Sequence, residues 1–209
     1  PGQTDETVQQ SVQQAHTLGA KHVSVYLLKV EPGTPFFRQR ERLSIPDEDT
    51  AADLYLAAGA ALDRRGYQQY EISNFAYPGY QSRHNLKYWN CDPYIGLGPA
   101  AHSFVSGRRL SYPSDLSYFL QGGEPVEEKE GAIVAGSPEE YAMLRLRLTQ
   151  GLTETAYQQR FATPIAARWR QRAAAIPSAY IIADEVGIRL TRSGFLLSNT
   201  IIGQLLAEE

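Results

Sequence analysis

The pattern of apolar and polar positions predicts two helices near the start of the chain. In the first, apolar side chains between residues 8 and 18 recur at helical spacing, and Thr4 or Asp5 caps the start. Gly19 follows, where a left-handed residue is needed to end the helix. A second helix begins near Asp47, keeps one apolar stripe and ends at Gly66.

Two segments of different composition follow these helices and predict strands. Residues 22–30 and 67–76 are rich in β-branched, aromatic and other apolar side chains. The first segment is apolar on both faces, which is typical of a strand in a parallel sheet that helices cover on each side. The order helix, strand, helix, strand therefore predicts half of an α/β unit with a parallel sheet. Because two strands leave apolar surface and a sheet edge open, we expect further polypeptide or a partner to cover them.

The middle of the chain predicts little regular structure. Residues 77–113 are rich in Pro, Gly, Tyr and Asn, which indicates an ordered irregular region. Residues 114–121 predict a short helix behind a serine cap, and residues 122–136 predict a polar, extended connection.

The end of the chain predicts a separate helical domain. Ser137 at an N-cap, Pro138 at the first helical position and glutamates in the first turn agree on a helix start. Further helices, a β-hairpin within "YIIADEVGIRLT" and a final helix follow, an order typical of a winged-helix-like domain. We therefore divide the chain into residues 1–113, a connector at 114–136 and a C-terminal domain at 137–209.

Composition and charge narrow the classes of function. The net charge of −3 and the isoelectric point near 5.9 show no basic excess that would favour nucleic acid, and the C-terminal arginines are offset by acidic residues. No apolar run reaches the roughly 20 residues that span a bilayer, and no signal peptide opens the chain. A single cysteine, Cys91, excludes a disulfide framework or a multi-cysteine metal cage built from these residues alone. We expect a cytoplasmic protein.

The segment "SRHNLKYWNCDPYIGLGPAAHSF", residues 82–104, concentrates the candidate chemistry. The imidazole of His84 is a suitable ligand for heme iron, and Tyr88 and Trp89 offer flat rings on which a macrocycle can stack. The alternative is a structural histidine bonded to backbone, with the aromatic rings filling the loop. Residue chemistry alone leaves both interpretations open.

Three further residues allow two interpretations each. His102 follows a Gly-x-Gly turn, which either brings backbone close to a ligand or packs the loop. Cys91 is either a thiolate ligand or incidental, and we favour the second because it has no second cysteine and no basic pair beside it. Glu71, at the end of the second strand, either faces a cofactor or caps or pairs locally.

Three stretches resemble a known family. "VSVYLLKVEPGTPF", "GYQQYEISNFAYPGYQSRHNLKYW" and "YIGLGPAAHSF" are similar to the oxygen-independent coproporphyrinogen III oxidase-like proteins of the radical S-adenosylmethionine (SAM) superfamily, in their HemW branch of heme chaperones. The resemblance runs through nearly the whole chain. It implies the C-terminal part of a partial (β/α)6 barrel, followed by a C-terminal winged-helix-like domain. In the family a Cys-x-x-x-Cys-x-x-Cys motif binds a [4Fe–4S] cluster, and this motif is absent from the chain.

The resemblance also implies cofactors and site residues. Without the cysteine motif, we expect that this chain alone neither binds the cluster nor cleaves SAM. Lys29 and His102 match positions of the family's SAM pocket wall. The motif His-Asn-x-x-Tyr-Trp, which the chaperone branch uses for heme, is intact as His84, Asn85, Tyr88 and Trp89. It implies His84 as the ligand of heme iron.

The implied function is that of a heme chaperone, whose partners are heme, heme-acceptor proteins and the missing half of the barrel. The alternative is an oxygen-independent coproporphyrinogen III oxidase, which carries out radical decarboxylation in heme biosynthesis. A third hypothesis is a binding module whose C-terminal domain contacts protein or nucleic acid, and the acidic isoelectric point disfavours nucleic acid.

Overall fold

The computed structural model of the chain describes residues 1–128, 131 and 133–207, which form a mixed α and β structure. The helices are α1 (Asp5–Thr17), α2 (Pro35–Gln39), α3 (Glu48–Asp63), α4 (Arg83–Trp89), α5 (Leu116–Leu120), α6 (Pro138–Arg145), α7 (Glu154–Phe161), α8 (Ala167–Ala174), α9 (Arg192–Leu196) and α10 (Ser198–Leu206), with a 3-10 helix at Arg40–Arg42. The strands are β1 (His22–Ser24), β2 (Gln68–Gln69), β3 (Asn74–Ala76), β4 (His102–Val105), β5 (Arg108–Ser111), β6 (Val126–Glu127), β7 (Leu152–Thr153), β8 (Ile181–Ala183) and β9 (Gly187–Leu190).

Helices α1 and α3 confirm the helices predicted from the apolar spacing. The Thr4 side chain caps α1 by accepting the Thr7 amide, and Asp47 caps α3 by accepting the Thr50 amide. Gly19 follows α1 with a φ of 75°, the left-handed conformation that the helix end requires. The two helices pack beside each other and bury Val12 and Leu62.

The parallel sheet predicted for this region is wrong. Strand β3 lies between β1 and β2 and pairs with both in antiparallel register, so the two predicted segments pair through β1 and β3, but antiparallel rather than parallel. The segment 67–76 is a hairpin rather than one strand, because the chain turns back between Gln69 and Asn74. The segment 22–30 is paired only over His22–Ser24.

The irregular region predicted at 77–113 is also wrong in part. It contains α4 and the antiparallel hairpin β4–β5, to which β6 adds from the predicted connector. The alternation of apolar and polar residues in β4 and β5 is short, and the surrounding glycines and prolines masked it. The short helix predicted at 114–121 is present as α5, but Asp115 rather than the serine before it is the cap.

The C-terminal segment follows the predicted order of elements. Ser137 caps α6 and Pro138 occupies its first position, as predicted. Strands β8 and β9 form the predicted hairpin, and β7 pairs with the other edge of β9. The helices close over the larger of the two apolar cores, which buries Trp169, Leu146 and Ile188. The predicted final helix is two helices, α9 and α10.

Backbone and side-chain contacts join the beginning of the chain to its end. The Ile72 amide donates to the Arg147 carbonyl at 2.9 Å, and the Thr149 amide donates to the Tyr70 carbonyl at 3.1 Å. The Arg192 guanidinium donates twice to the Asp63 carboxylate. The loop and helix of residues 77–94 therefore connect the part of the chain before residue 77 to the part after residue 94, and these two parts are in direct contact.

Candidate functional site

Helix α4 is a short element with most of its surface exposed. The Ser82 side chain caps it by accepting the Asn85 amide at 3.2 Å, and the helix ends at Trp89. None of its residues is fully buried, and Arg83, His84, Lys87 and Tyr88 are exposed. A helix of this kind presents side chains to solvent rather than filling a core.

His84 and Tyr88 form the centre of the candidate site. They are one turn apart on α4, and the Tyr88 hydroxyl lies 2.8 Å from Nε2 of His84 in a hydrogen bond. Their rings meet edge to face with centroids 4.8 Å apart. The Nδ1 atom of His84 has no hydrogen-bond partner among the described residues. The backbone-bonded histidine that was the alternative interpretation is therefore not what the structure contains.

The aromatic surface extends from Tyr88 toward the following loop. The Tyr94 ring contacts the Tyr88 ring edge to face, with centroids 4.6 Å apart. Tyr94 lies in an isolated antiparallel bridge with Phe104, which attaches the loop to β4. Trp89 is half-buried and makes no aromatic contact with His84 or Tyr88 within the part of the chain that the structure describes. The structure thus adds Tyr94, which the sequence motif does not contain, to the rings beside His84.

The start of α4 rests on Tyr70, and Asn85 is half-buried there. The Tyr70 hydroxyl accepts the Ser82 amide at 3.3 Å and lies 2.8 Å from Nε2 of His22. Burial raises the pKa of the Tyr70 phenol, and the Ser82 amide and the nearby Asn85 side chain partly offset that effect. The bond from the Ser82 amide therefore holds the start of α4 against the β2–β3 hairpin, which contains Tyr70.

The turn after α4 is held by two arginines of later helices. Arg160 donates to the carbonyls of Asn90 and Cys91, at 3.3 and 2.9 Å. Arg145 donates to the Asn90 side chain and to the Gly151 carbonyl. Because these guanidiniums lie on α6 and α7, those two helices fix the end of α4.

Cys91 is part of this support rather than a reactive group. Its side chain is buried, and its thiol donates to the Glu140 carboxylate at 3.4 Å. Burial raises the pKa of the Cys91 thiol to about 11, and the negative charge of Glu140 acts in the same direction. Cys91 also adopts a positive φ of 53° in the turn. A buried, protonated thiol of this kind is not a metal ligand.

Glu140 connects Cys91 to the aromatic surface. Its carboxylate accepts the Gly136 amide at 2.7 Å and an Arg109 N–H at 2.5 Å. Arg109 also donates to the Tyr94 hydroxyl at 3.2 Å. Glu140, Arg145 and Arg160 are not among the site residues predicted from the sequence, because no local pattern reports which distant loop a helix side chain will contact.

His102 lies on β4 and forms no hydrogen bond with His84 or Tyr88. Its Nδ1 atom is paired with the Glu128 carboxylate. A side chain at Gly96 would come within 2.2 Å of the His102 carbonyl oxygen, so this glycine of the Gly-x-Gly turn permits a close approach of the protein's own backbone. For Gly96 the tight-turn interpretation is therefore the correct one.

Lys29 lies in the extended segment after β1. Its ammonium group is largely exposed and pairs with Glu31 at 2.8 Å, an interaction that raises the lysine's pKa. A cavity of about 280 Å³ opens nearby between α1, α3 and the segment Val23–Leu28, but neither Lys29 nor His102 lines it. Lys29 instead borders a shallower hollow with Thr34 and Phe36. The structure does not bring the two predicted SAM-pocket residues into contact.

Glu71 is fully buried and has a local role. Its carboxylate accepts the Ser73 amide at 3.0 Å and the side-chain amide of Asn74, whose oxygen in turn accepts the Ser24 hydroxyl at 2.5 Å. Burial raises the pKa of Glu71, and these hydrogen bonds partly offset the effect. Within the described residues it forms no ion pair, so the capping interpretation holds and the arginine pairing does not.

The described residues contain no group of three or more histidine, cysteine, aspartate or glutamate side chains arranged to hold a metal ion. With one buried cysteine, they do not fit an iron–sulfur cluster. No helix among them combines the length and apolarity that crossing a membrane requires.

Comparison with known proteins identifies the relatives of this chain. Residues 137–197 match the family described as the HemN C-terminal domain. The chain is 31% identical to the heme chaperone HemW of Bacillus subtilis over 100% of its length, and 32% identical to that of Escherichia coli over 100%. It is 34% identical to the HemW of Mycobacterium tuberculosis over 99%.

A solved structure shares the fold. The coproporphyrinogen III oxidase HemN of Escherichia coli, described as a radical SAM enzyme, matches 98% of the chain with a TM-score of 0.71 and 19% identity. The chain covers 52% of that structure, and 57%, 56% and 53% of the three HemW proteins. It therefore spans about half the length of the proteins that it resembles.

Proposed function

Since the chain belongs to the HemW-like branch of the HemN family, we propose that it forms the heme-binding portion of a heme chaperone. The cargo is heme, which the protein holds and passes to acceptor proteins. In this function the protein neither oxidises nor decarboxylates its cargo. Its affinity for heme must be high enough to carry the heme and low enough to release it.

One observation carries this proposal: the intact motif places an exposed imidazole on a helix beside an exposed phenol ring. His84 has one ring nitrogen without a partner among the described residues and one bonded to a hydroxyl that can move away. Histidine nitrogen is a common axial ligand of heme iron. Tyr88 and Tyr94 form an aromatic surface that a flat macrocycle can contact. These residues fit heme, and they would supply an axial ligand and a stacking surface.

We propose one role for each residue of the motif. His84 supplies the iron ligand, and Tyr88 supplies a ring. Asn85 shapes the start of the helix, next to the Ser82 amide that bonds to Tyr70. Trp89 lies at the helix end, half-buried, and borders the cargo from there. In this arrangement the C-terminal domain acts on cargo binding through the turn at Asn90 and Cys91, which Arg145 and Arg160 hold.

A titration of the full-length protein with ferric heme, followed at the Soret band, tests the proposal. We expect saturable binding that His84→Ala weakens at least tenfold, because an axial ligand is lost. His16→Ala is the matched control, since His16 is exposed and lies on α1 with a bond to Tyr77. An unchanged spectrum and affinity in His84→Ala would refute His84 as the ligand.

We further propose that the chain is the C-terminal part of a partial (β/α)6 barrel followed by a winged-helix-like domain. Residues 1–113 supply the last helices and strands of the barrel, with the β2–β3 hairpin added antiparallel to β1, and the heme-motif loop. Residues 114–136 are the connector, and residues 137–209 are the winged-helix-like domain. The likeness in fold to HemN supports this arrangement. In the whole protein the barrel holds SAM and a [4Fe–4S] cluster, with Lys29 and His102 at the wall of the SAM pocket. The cluster ligands do not come from the residues described here. We propose the cytoplasm as its location.

The alternative of an oxygen-independent coproporphyrinogen III oxidase is less well supported. The three HemW proteins compared above are 31–34% identical to the chain, whereas the oxidase structure is 19% identical and shows a shared fold only. An anaerobic assay of the full-length protein with coproporphyrinogen III and SAM separates the two. We expect no product, and formation of the decarboxylated porphyrinogen would favour the oxidase.

A further inference from the structure

Two cationic side chains on α4 have no part in the heme motif. Arg83 and Lys87 are exposed, and they stand one turn apart on the helix that carries His84 and Tyr88. The sequence of α4 contains no acidic residue that would neutralise them. They are therefore the only ionised side chains that α4 itself contributes beside His84.

Both cations lack an ionic partner in the part of the chain that the structure describes. The arginines and lysine that do pair with carboxylates include Arg109, Arg192 and Lys29, and neither Arg83 nor Lys87 is among the paired residues. Neither side chain donates a hydrogen bond to a described residue, whereas Arg145 and Arg160 each donate at least two. The position of Arg83 and Lys87 is not explained by the packing of the protein.

Like charges one turn apart repel each other and destabilise an isolated helix. An anionic group bound between them or beside them would relieve that repulsion. The helix thus combines an imidazole, an aromatic ring and two free cations within two turns, at residues 83–88.

We propose that Arg83 and Lys87 form a carboxylate clamp that recognises the propionate groups of the tetrapyrrole held at His84. The inference rests on the proposed function and deepens it, because it names the part of the cargo that determines specificity. The iron is bound by the imidazole, the ring contacts Tyr88, and the carboxylates at the edge of the macrocycle pair with the two cations. An arginine can hold a carboxylate through two N–H donors, and a lysine contributes a point charge.

The clamp predicts which ligands the site prefers. It favours tetrapyrroles with free carboxylates over those whose carboxylates are esterified. It also predicts that this preference weakens as salt is added, because exposed charges are screened at high ionic strength. Iron ligation at His84 does not depend on the charge of the propionates and remains in both cases.

The experiment compares ferric heme with its dimethyl ester, in the same detergent-containing buffer, on the full-length protein. The double variant Arg83→Gln and Lys87→Gln should bind heme about tenfold more weakly than wild type, since each exposed ion pair contributes up to about fivefold. Its affinity for the dimethyl ester should be unchanged. Arg83→Lys, with Lys87 intact, should show a preference for heme between those of wild type and the double variant, because it keeps the charge but not the two-pronged contact.

The control variant removes two positive charges elsewhere. Arg38→Gln with Arg42→Gln changes exposed residues of α2 and the following 3-10 helix, and it should leave the preference for heme over the ester unchanged. If this control lowers the preference as much as the α4 variant does, the effect comes from net charge and the clamp is refuted.

The remaining outcomes separate the clamp from the function on which it rests. Equal heme affinity in wild type and the α4 double variant would overturn the clamp alone, provided that His84→Ala still weakens binding of both ligands. An equal loss of heme and ester binding in the double variant would also overturn it, because the loss would then come from the helix rather than from the carboxylates. If wild type binds both ligands with no dependence on His84, the proposed site fails and the clamp fails with it.

Discussion

At the scale of single residues, His84 and Tyr88 set the chemistry of the candidate site. The hydrogen bond between the Tyr88 hydroxyl and Nε2 of His84 occupies the nitrogen that most often ligates iron in proteins. Ligation through Nε2 requires that this bond be exchanged for the bond to iron. Tyr88 thus contributes in two opposing ways, because its ring contacts the cargo while its hydroxyl competes with it.

Tyr88→Phe separates these two contributions, since the ring is kept and the hydroxyl is removed. We expect a rise of about threefold or more in heme affinity, because a net hydrogen-bond contribution of about 0.5–1.5 kcal/mol no longer has to be given up. The Soret titration measures it. A fall in affinity would mean that the hydroxyl supports ligation, and it would contradict ligation through Nε2 in exchange for Tyr88.

Glu71 is the buried carboxyl whose titration we expect to affect stability. Burial raises its pKa in the folded protein above the ordinary value of about 4.3, so at intermediate pH the folded state binds a proton that the unfolded chain has released. The stability that this group contributes is complete below the ordinary value and is lost as pH rises through the folded value. The free energy of unfolding of wild type should therefore fall with rising pH, relative to that of Glu71→Gln.

Urea unfolding of both proteins at several pH values above 4 provides the measurement. The difference in free energy between Glu71→Gln and wild type should grow in favour of the variant as pH increases. All other carboxyl groups are common to both proteins and cancel from the difference. A difference that is constant or that shrinks with pH would contradict a raised pKa.

At the scale of elements, α4 is held at both ends by other parts of the fold. Its start rests on Tyr70, which β1 and the β2–β3 hairpin position, and its end rests on α6 and α7. Glu140 on α6 is the point at which three contacts meet, from Cys91, Arg109 and the Gly136 amide. A buried carboxylate with this many donors stabilises the arrangement of all three segments.

Glu140→Gln should destabilise the fold by about 1–3 kcal/mol. The neutral amide removes the negative charge that pairs with Arg109, and it has one acceptor oxygen where the carboxylate has two for Arg109 and the Gly136 amide. Urea unfolding measures the loss. Glu139→Gln is the matched control, since the neighbouring side chain is more exposed and lies 3.5 Å from Arg168, and it should change stability by less than about 0.5 kcal/mol. Equal effects of the two variants would contradict the structural role of Glu140.

Local patterns in the sequence predict the helices well and the sheets less well. The cap at Asp47, the left-handed Gly19 and the start of α6 at Ser137 are local features, and the structure contains each of them. Sheet pairing is not local. The insertion of β3 between β1 and β2 depends on contacts between residues about 50 positions apart, such as His22 and Ala76, which periodicity does not report.

At the scale of the whole molecule, the candidate site lies on the segment that connects two parts already in contact. The residue types at 84–89 mark this segment in the sequence, and the family resemblance supplies the link to heme. The residues that support the motif are not marked in this way, since Arg160 and Glu140 follow the motif by some 50 to 75 positions and reach it only through the fold. Strand β1 lies at an edge of its three-stranded sheet, beside the cavity of about 280 Å³. Both are formed by residues near the start of the chain, whereas β7–β9 are formed by residues near its end.

Removal of the His84 side chain, followed by addition of free imidazole, tests the central claim that His84 ligates heme iron. His84→Gly in the full-length protein should bind heme weakly and without the spectrum of histidine ligation, as recorded by the Soret band and by electron paramagnetic resonance. Added imidazole should restore the wild-type spectrum, and His102→Gly should show neither the loss nor the rescue. A wild-type spectrum in His84→Gly before imidazole is added would contradict the account.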